Sequence, residues 1–240
     1  MDPDAPLDLA RWGARAAAVP LVPEVVVPVV DDVVALWERT DAAAGRPQPP
    51  PFWGAPWVGG QALARHVLDR PDLVAGRAVV DVACGSGVVA VAAALAGASA
   101  VTALDLDPLA AAAARWTAAR AGVVVDVRVA DVLAAGPGPL DGADVVLVGD
   151  LFYERPVAEA LLPLLERCAD GGALVLVGDP GRAHLPTGRL AEVGRYAVPV
   201  VGDVEDAGTR STGVLRVSGA ARPGPPAASA GGCGGSAARA

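Results

Sequence analysis

Four aspartates, Asp81, Asp105, Asp131 and Asp150, each stand at the carboxyl end of a strand-like run. Between the first two, Gly85-Ser86-Gly87-Val88-Val89-Ala90 satisfies the spacing G-x-G-x-x-G/A, and Asp105 follows about 20 residues later. Such a loop opens a helix after a strand and turns free amides toward a nucleotide, while the acidic residue takes ribose hydroxyls. Dehydrogenases use the same turn, so the remaining carboxylates decide which ligand it suits. Asp81, four residues before Gly85, would lie near a bound pyrophosphate and repel it. A carboxylate there suits an ammonium. Asp131, in "VRVADVL", can meet an adenine amino group or edge, and Asp150 ends "ADVVLVGD" and runs into Phe152-Tyr153. Ligands of open α/β sheets bind at the carboxyl ends of strands. Four acids around one crevice are poor company for a phosphate and suit a cationic sulfonium ligand or a cationic substrate.

The elements that must position these residues alternate along the chain. Strand-like runs cover 78–83, 100–105, 124–129, 143–149 and 173–178, with helical runs at about 87–96, 108–121 and 154–169. Near-continuous Val/Leu/Ala strands in a β-α-β-α rhythm predict a mostly parallel sheet covered on both faces. "VGRYAVPVV" (193–201) and "STGVLRV" (211–217) read as a closing antiparallel hairpin. The 23 uncharged residues between Asp81 and Asp105 are long enough for a membrane span. Their aspartate flanks and the interruptions at Gly85, Ser86, Gly87, Gly97, Ser99 and Thr102 favour strand, turn, helix, loop and strand instead.

Before this core, 7–19 and 31–44 read as short helices flanking a proline-punctuated extended segment, 20–30. "GRPQPPPFWGAPW" (45–57) cannot be regular structure, because proline removes amide donors and restricts its predecessor. "GGQALARHVLDRPDL" follows as a helix ending at Pro71. The expected organisation is an extension over 1–45, a catalytic domain over 46–218 and a disordered low-complexity tail over 219–240.

Composition bounds the partners. The formal charge is −8, and all 19 basic residues are arginines. An acidic protein repels nucleic-acid phosphates at long range and attracts basic partners. Cys84, Cys168 and Cys233 show no C-x-x-C spacing, which argues against a disulfide framework or a zinc site and suits a reducing compartment. The acidic start "MDPDAP" and the proline-broken "VPLVPEVVVPVV" make a poor signal peptide, so a cytoplasmic location is expected. Cys84 reads as a loop filler, and His66 and His184 as ordinary surface histidines.

These motifs carry a resemblance. "VVDVACGSG", "VTALDLDP", "VADVL" and "DVVLVGDLFYE" resemble the successive motifs of class I, seven-stranded S-adenosylmethionine-dependent methyltransferases. Asp150–Tyr153 is similar to the D/E-x-x-Y/F motif of the lysine-methylating subgroup. "PPPFWGAPWVGGQALARHVLD", "GDLFYE" and "GDPGR" resemble the electron-transfer-flavoprotein β-subunit lysine methyltransferase family and its bacterial relatives, some labelled nicotinamide N-methylase-like or ribosomal L11 methyltransferase-like. The likeness runs from about Leu21 to Val217. It implies a Rossmann-like doubly wound sheet of seven strands, S-adenosyl-L-methionine as cofactor, and the lysine of a protein substrate as acceptor, such as the flavoprotein β-subunit or a ribosomal protein. Nucleic acid, membrane and metal are not implied. By the same resemblance the backbone around Gly85 and Gly87 cradles the methionine part, Asp81 faces its ammonium, Asp105 binds both ribose hydroxyls and Asp131 the adenine. Trp57 and Gly59 wall the cofactor cleft, and Asp150 and Tyr153 serve the acceptor amine. The commoner E/D-x-G-x-G-x-G form is altered here: Ala83 replaces its first glycine and Val89 its last.

Methyl transfer is an in-line displacement at an activated sulfonium and needs positioning and water exclusion more than a nucleophile or metal. A lysine amine, with a reference pKa near ~10.4, must first lose its proton. Asp150 can orient it, yet a carboxylate also stabilises the ammonium, so the base is unassigned. Tyr153 and Phe152 can face the developing charge, although Phe152 reads equally as core, and Trp53 and Trp57 equally as staples of the proline loop. Three rival readings remain. Methylation of a small amine such as nicotinamide predicts a closed pocket, where a protein substrate needs an open rim near 150–155 and 180–190. A non-catalytic cofactor-binding module fits an intact Asp150–Tyr153 less well. A dehydrogenase has Asp81 against it.

Overall fold

The computed structural model describes residues 6–136, 138–186, 188–200 and 208–218. Its centre is a seven-stranded sheet of β3 (Ala78–Val82), β4 (Ala100–Asp105), β5 (Asp126–Val129), β6 (Val145–Gly149), β7 (Leu174–Asp179), β8 (Leu190–Pro199) and β9 (Thr209–Val217). The spatial order is β5-β4-β3-β6-β7-β9-β8. The first five pair in parallel, and β9 joins β7 and β8 antiparallel. The order reverses between β3 and β4 on one side and β3 and β6 on the other, which opens a crevice above their carboxyl ends. This is the expected doubly wound sheet with its closing hairpin, and the sequence 219–240 lies outside the described residues.

Alternate residues of each central strand feed two cores. Val79, Val145, Leu147 and Leu176 meet α3 (Val58–Asp69), α4 (Val88–Leu95) and α5 (Pro108–Ala121) on one face. Val80, Val82, Val146, Val148, Val175 and Val177 meet α7 (Arg155–Asp170) on the other. Being covered on both faces is why these strands read as unbroken apolar runs. Each fully buried valine or leucine contributes about 1.5–3 kcal/mol. The stretch weighed above as a membrane span is therefore the end of β3, a glycine loop, α4 and β4. Among the described residues no helix is long and apolar enough to cross a membrane.

The amino-terminal region departs from expectation. In place of a helix over 7–19 there is one turn, α1 (Leu9–Trp12), then β1 (Ala14–Val19), which pairs antiparallel with β2 (Val22–Val30). Gly13, at φ +66°, ends the turn in the left-handed region, and the valine-rich β2 supplies the partner that overrides the helix propensity of "ARAAA". Val25, Val27 and Val29 point into the core beside α3, α4 and α5. Prolines 23 and 28 are tolerated because a two-stranded sheet has only edge strands. The helix expected near 31–44 is α2 (Val33–Ala44), capped by Asp32.

Candidate functional site

The glycine loop leaves β3 through a left-handed backbone. Ala83 has φ +54° and Gly85 the same, with Gly87 at +82°. For alanine this region costs roughly 1–2 kcal/mol, so Ala83 carries strain where the commoner motif has glycine. The two motif glycines differ in what surrounds them. A Cβ on Gly87 would meet Ala114 of α5 at 2.9 Å, whereas nothing lies within 4 Å of a Cβ on Gly85. Gly87 thus lets α4 and α5 pack, and Gly85 faces open space. Its N–H donates to Asp105 Oδ2 at 2.9 Å, while Asp105 Oδ1 accepts from Asp107 N at 3.0 Å. Asp81 is almost closed to solvent at 1% exposure and accepts from Ala90 N at 2.9 Å. It thereby takes a free amide in the first turn of α4, a helix with no side-chain N-cap.

Burial raises both carboxyl groups, Asp81 to about 8 and Asp105 to about 6, against the smaller opposing pull of their amide donors. Burial also pushes the Cys84 thiol well above its ordinary value, which suits a filler and not a nucleophile. Asp131 stands apart: it is exposed and N-caps α6 (Val132–Ala135), accepting from Leu133 N at 2.9 Å and Ala134 N at 3.1 Å.

Asp150 is built differently. It also adopts a left-handed backbone, at φ +56°, and is 9% exposed. Its Oδ2 accepts from Gly60 N at 2.8 Å, and its Oδ1 accepts from Arg182 Nη2 at 2.7 Å. It therefore does not cap the helix that follows it. It caps α3, where an anion is favoured by the helix dipole and free amides. Burial still lifts it to about 6, although Arg182 and the Gly60 amide pull the other way. Asp179 is its neighbour on β7 at 2% exposure, and its Oδ1 accepts from Gly181 N and Arg182 N, both at 2.7 Å.

Close backbone contact makes this arrangement possible. A Cβ on Gly59 would fall on the Gly178 carbonyl oxygen and 2.6 Å from Asp150 Oδ2, and one on Gly149 would lie 3.0 Å from Gly60 Cα. Gly59 is thus in contact with Asp150 and Gly178, at the first turn of α3. Above it, Tyr153 meets the edge of Phe52 at 5.4 Å, Phe52 meets Trp57 at 5.8 Å, and the Arg182 guanidinium lies 5.7 Å from the Trp57 ring centre. Phe52 and Tyr153 are 41% and 37% exposed. Phe152 and Trp53, by contrast, are fully buried core residues.

Two readings of the sequence need correction or extension. His66 is not a surface histidine: it is 5% exposed, and its Nδ1 lies 3.0 Å from the Tyr196 hydroxyl, because α3 packs across β8 and β9. Gly60, Gly149, Gly178 and Asp179 also belong to the site, with no role that local spacing assigns them. A signal existed: "VLVGD" occurs at 146–150 and again from 175 to 179, and the two copies pair in register, Gly149 opposite Gly178.

The fold and the acid-lined crevice are those of a class I S-adenosylmethionine-dependent methyltransferase. Residues 62–178 match the family model described as ribosomal protein L11 methyltransferase. The chain is 36% identical over 201 residues to the electron transfer flavoprotein beta subunit lysine methyltransferase of Danio rerio, covering 82% of this chain and 76% of that one. It is 35% identical to the Xenopus laevis protein of the same name, covering 71% and 68% respectively. A solved structure described as "Conversion of a Disulfide Bond into a Thioacetal Group during Echinomycin Biosynthesis" is similar in fold, with a TM-score of 0.50, 22% identity, and coverage of 76% of this chain and 93% of that one. The chain belongs to the electron transfer flavoprotein beta subunit lysine methyltransferase family, and it is an enzyme that uses S-adenosylmethionine.

Proposed function

We propose that this enzyme methylates lysine side chains of a protein substrate, with the electron transfer flavoprotein β-subunit, named in its relatives, as the first acceptor to test. The observation that carries the reading is Asp150. A buried carboxylate stands at the carboxyl end of β6, under the half-exposed rim of Phe52, Trp57 and Tyr153. Tyr153, Glu154 and Arg155 are exposed, as are Gly181, Ala183 and His184. That open rim suits an acceptor carried on a protein, where a small amine would call for a closed pocket.

The crevice fits the cofactor. Gly85 faces open space, and the groups around it are the carboxylates Asp81 and Asp105, an acceptor set for ammonium and hydroxyl groups and not for phosphate. Asp105 keeps lone pairs for the ribose, Asp81 faces the ammonium through the α4 end, Asp131 serves the adenine edge, and Trp57 closes the side toward Asp150. S-adenosylmethionine supplies the methyl group from a sulfonium that leaves as a neutral thioether. The protein's own part is to hold the amine in line with that bond and exclude water. Asp150 Oδ1 accepts one amine N–H and so aims the lone pair, while Tyr153, Phe52 and Trp57 place π-faces around the charge that develops on nitrogen.

The test is a transfer assay with methyl-labelled S-adenosylmethionine and purified flavoprotein β-subunit, followed by peptide mass mapping. Label on lysine supports the reading. Label confined to other residues, or nicotinamide accepting it in place of protein, defeats it.

A further inference from the structure

Arg182 sits where a methylatable amine would have to bind. Its Nη2 donates to Asp150 Oδ1, the carboxylate oxygen not engaged by α3, and its guanidinium lies against Trp57 at the aromatic rim. A cation bound between a carboxylate and an aromatic face is what a protonated lysine would be there. Yet Arg182 is anchored elsewhere. Its own backbone N–H donates to Asp179 Oδ1. The other oxygen of that carboxylate, Oδ2, is buried and has no hydrogen-bond partner among the described residues, while Arg182 Nε stands 4.0 Å from it.

Because the "VLVGD" copies are in register, Asp150 and Asp179 lie side by side at the ends of β6 and β7. A guanidinium pivoting about its side-chain bonds exchanges one carboxylate for the other while its backbone anchor stays fixed. We infer that Arg182 is a stand-in cation, which holds Asp150 while the acceptor site is empty and passes to Asp179 Oδ2 when an acceptor amine takes Asp150 Oδ1. The inference rests on the acceptor site proposed above. Neither state leaves a buried charge without its opposite, the condition under which buried ion pairs are tolerated. The exchange also discriminates: only a ligand able to replace a guanidinium on a carboxylate opens the site, and a neutral group does not.

Competition of this kind weakens acceptor binding by the fraction of molecules in which Asp150 is already occupied. The test is a titration of the full-length protein with n-butylammonium chloride, a lysine side-chain surrogate, against equal sodium chloride. The readout is the side-chain Nε–H signal of Arg182, identified by its loss in Arg182→Met, with amides near Asp150 reporting affinity in every variant. The signal moves on titration of the wild type. Arg182→Met binds the amine about tenfold more tightly, for an arginine resting on Asp150 in about nine-tenths of molecules. Asp179→Asn, with the landing site gone, binds about tenfold more weakly, and adding Arg182→Met to it restores tight binding. Equal or weaker binding by Arg182→Met overturns the inference, since Arg182 then supports the site it was held to block. That variant decides alone if Asp179→Asn fails to fold. No methyl transfer to lysine by the wild type would sink the functional reading, and the amine titration reports on the exchange independently.

Discussion

The two halves of the crevice handle buried acid in opposite ways. On the β3–β4 side, Asp81 and Asp105 are met by backbone amides, those of Ala90, Gly85 and Asp107. On the β6–β7 side, Asp150 is met by an amide and a guanidinium, with a second aspartate alongside. The first arrangement offers its acids neutral amide dipoles and no cation, and burial raises both carboxyl groups. The second is neutralised within the chain, so an incoming cation must displace what is already there.

Substitutions separate the halves. The largest effect is expected for Asp150→Ala: kcat/KM for the acceptor falls about a thousandfold, as when a group acting mainly in the transition state is removed. Calorimetric titration should find S-adenosylmethionine affinity little changed, and lost affinity would merge the two halves into one. Next comes Asp81→Asn. The folded-state value of Asp81 is raised to about 8 from 3.8. The native state therefore holds a proton that the unfolded chain releases, and this group costs more stability as pH rises between those values. Asparagine removes the cost, so denaturant unfolding should show no gain near pH ~4 and a gain of a few kcal/mol near pH ~8. Cofactor affinity should fall at the same time, and a stability gain independent of pH would refute the cause given.

Smaller effects come from backbone. Gly59→Ala drives a methyl group into Gly178 and Asp150, and overpacking of this kind costs about 1–3 kcal/mol. Urea unfolding measures that, and acceptor turnover should suffer more than cofactor binding. Ala83→Gly, which relieves a left-handed alanine, should stabilise by at most about 1 kcal/mol, because glycine's extra freedom in the unfolded chain offsets part of the relief.

The two halves also differ in how far the sequence reveals them. Asp81, the glycine loop and Asp105 fall within 25 residues of one β-α-β unit, so spacing alone brings them together. Asp150 depends on Gly59 and Gly60 from α3 and on Arg182 beyond β7, contributions far apart in the chain that only the sheet order assembles. "GDPGR" reads locally as a turn, and nothing local says that its arginine reaches back to β6. The central strands were legible because burial on both faces leaves long apolar runs. The amino-terminal strand β1 was not, because its alanine-rich segment has helix propensity of its own and becomes a strand only by pairing with the valine run that follows it across a tight turn. The burial of His66 is not legible locally: amphipathic spacing gives one face of α3 to the core, but the hairpin that covers the histidine's side comes from more than a hundred residues later.

The glycine contacts beneath Asp150 have a mechanical side. The first turn of α3 rests directly on the Gly178 backbone and on the Asp150 carboxylate, so there is little soft there to compress. The other end of the same helix is fastened through His66 to Tyr196 of the edge strand β8. Twelve helical residues span about 18 Å. The helix thus works as a strut between the hairpin and the carboxylate, and a tilt imposed on the outer edge of the sheet arrives at Asp150 as displacement.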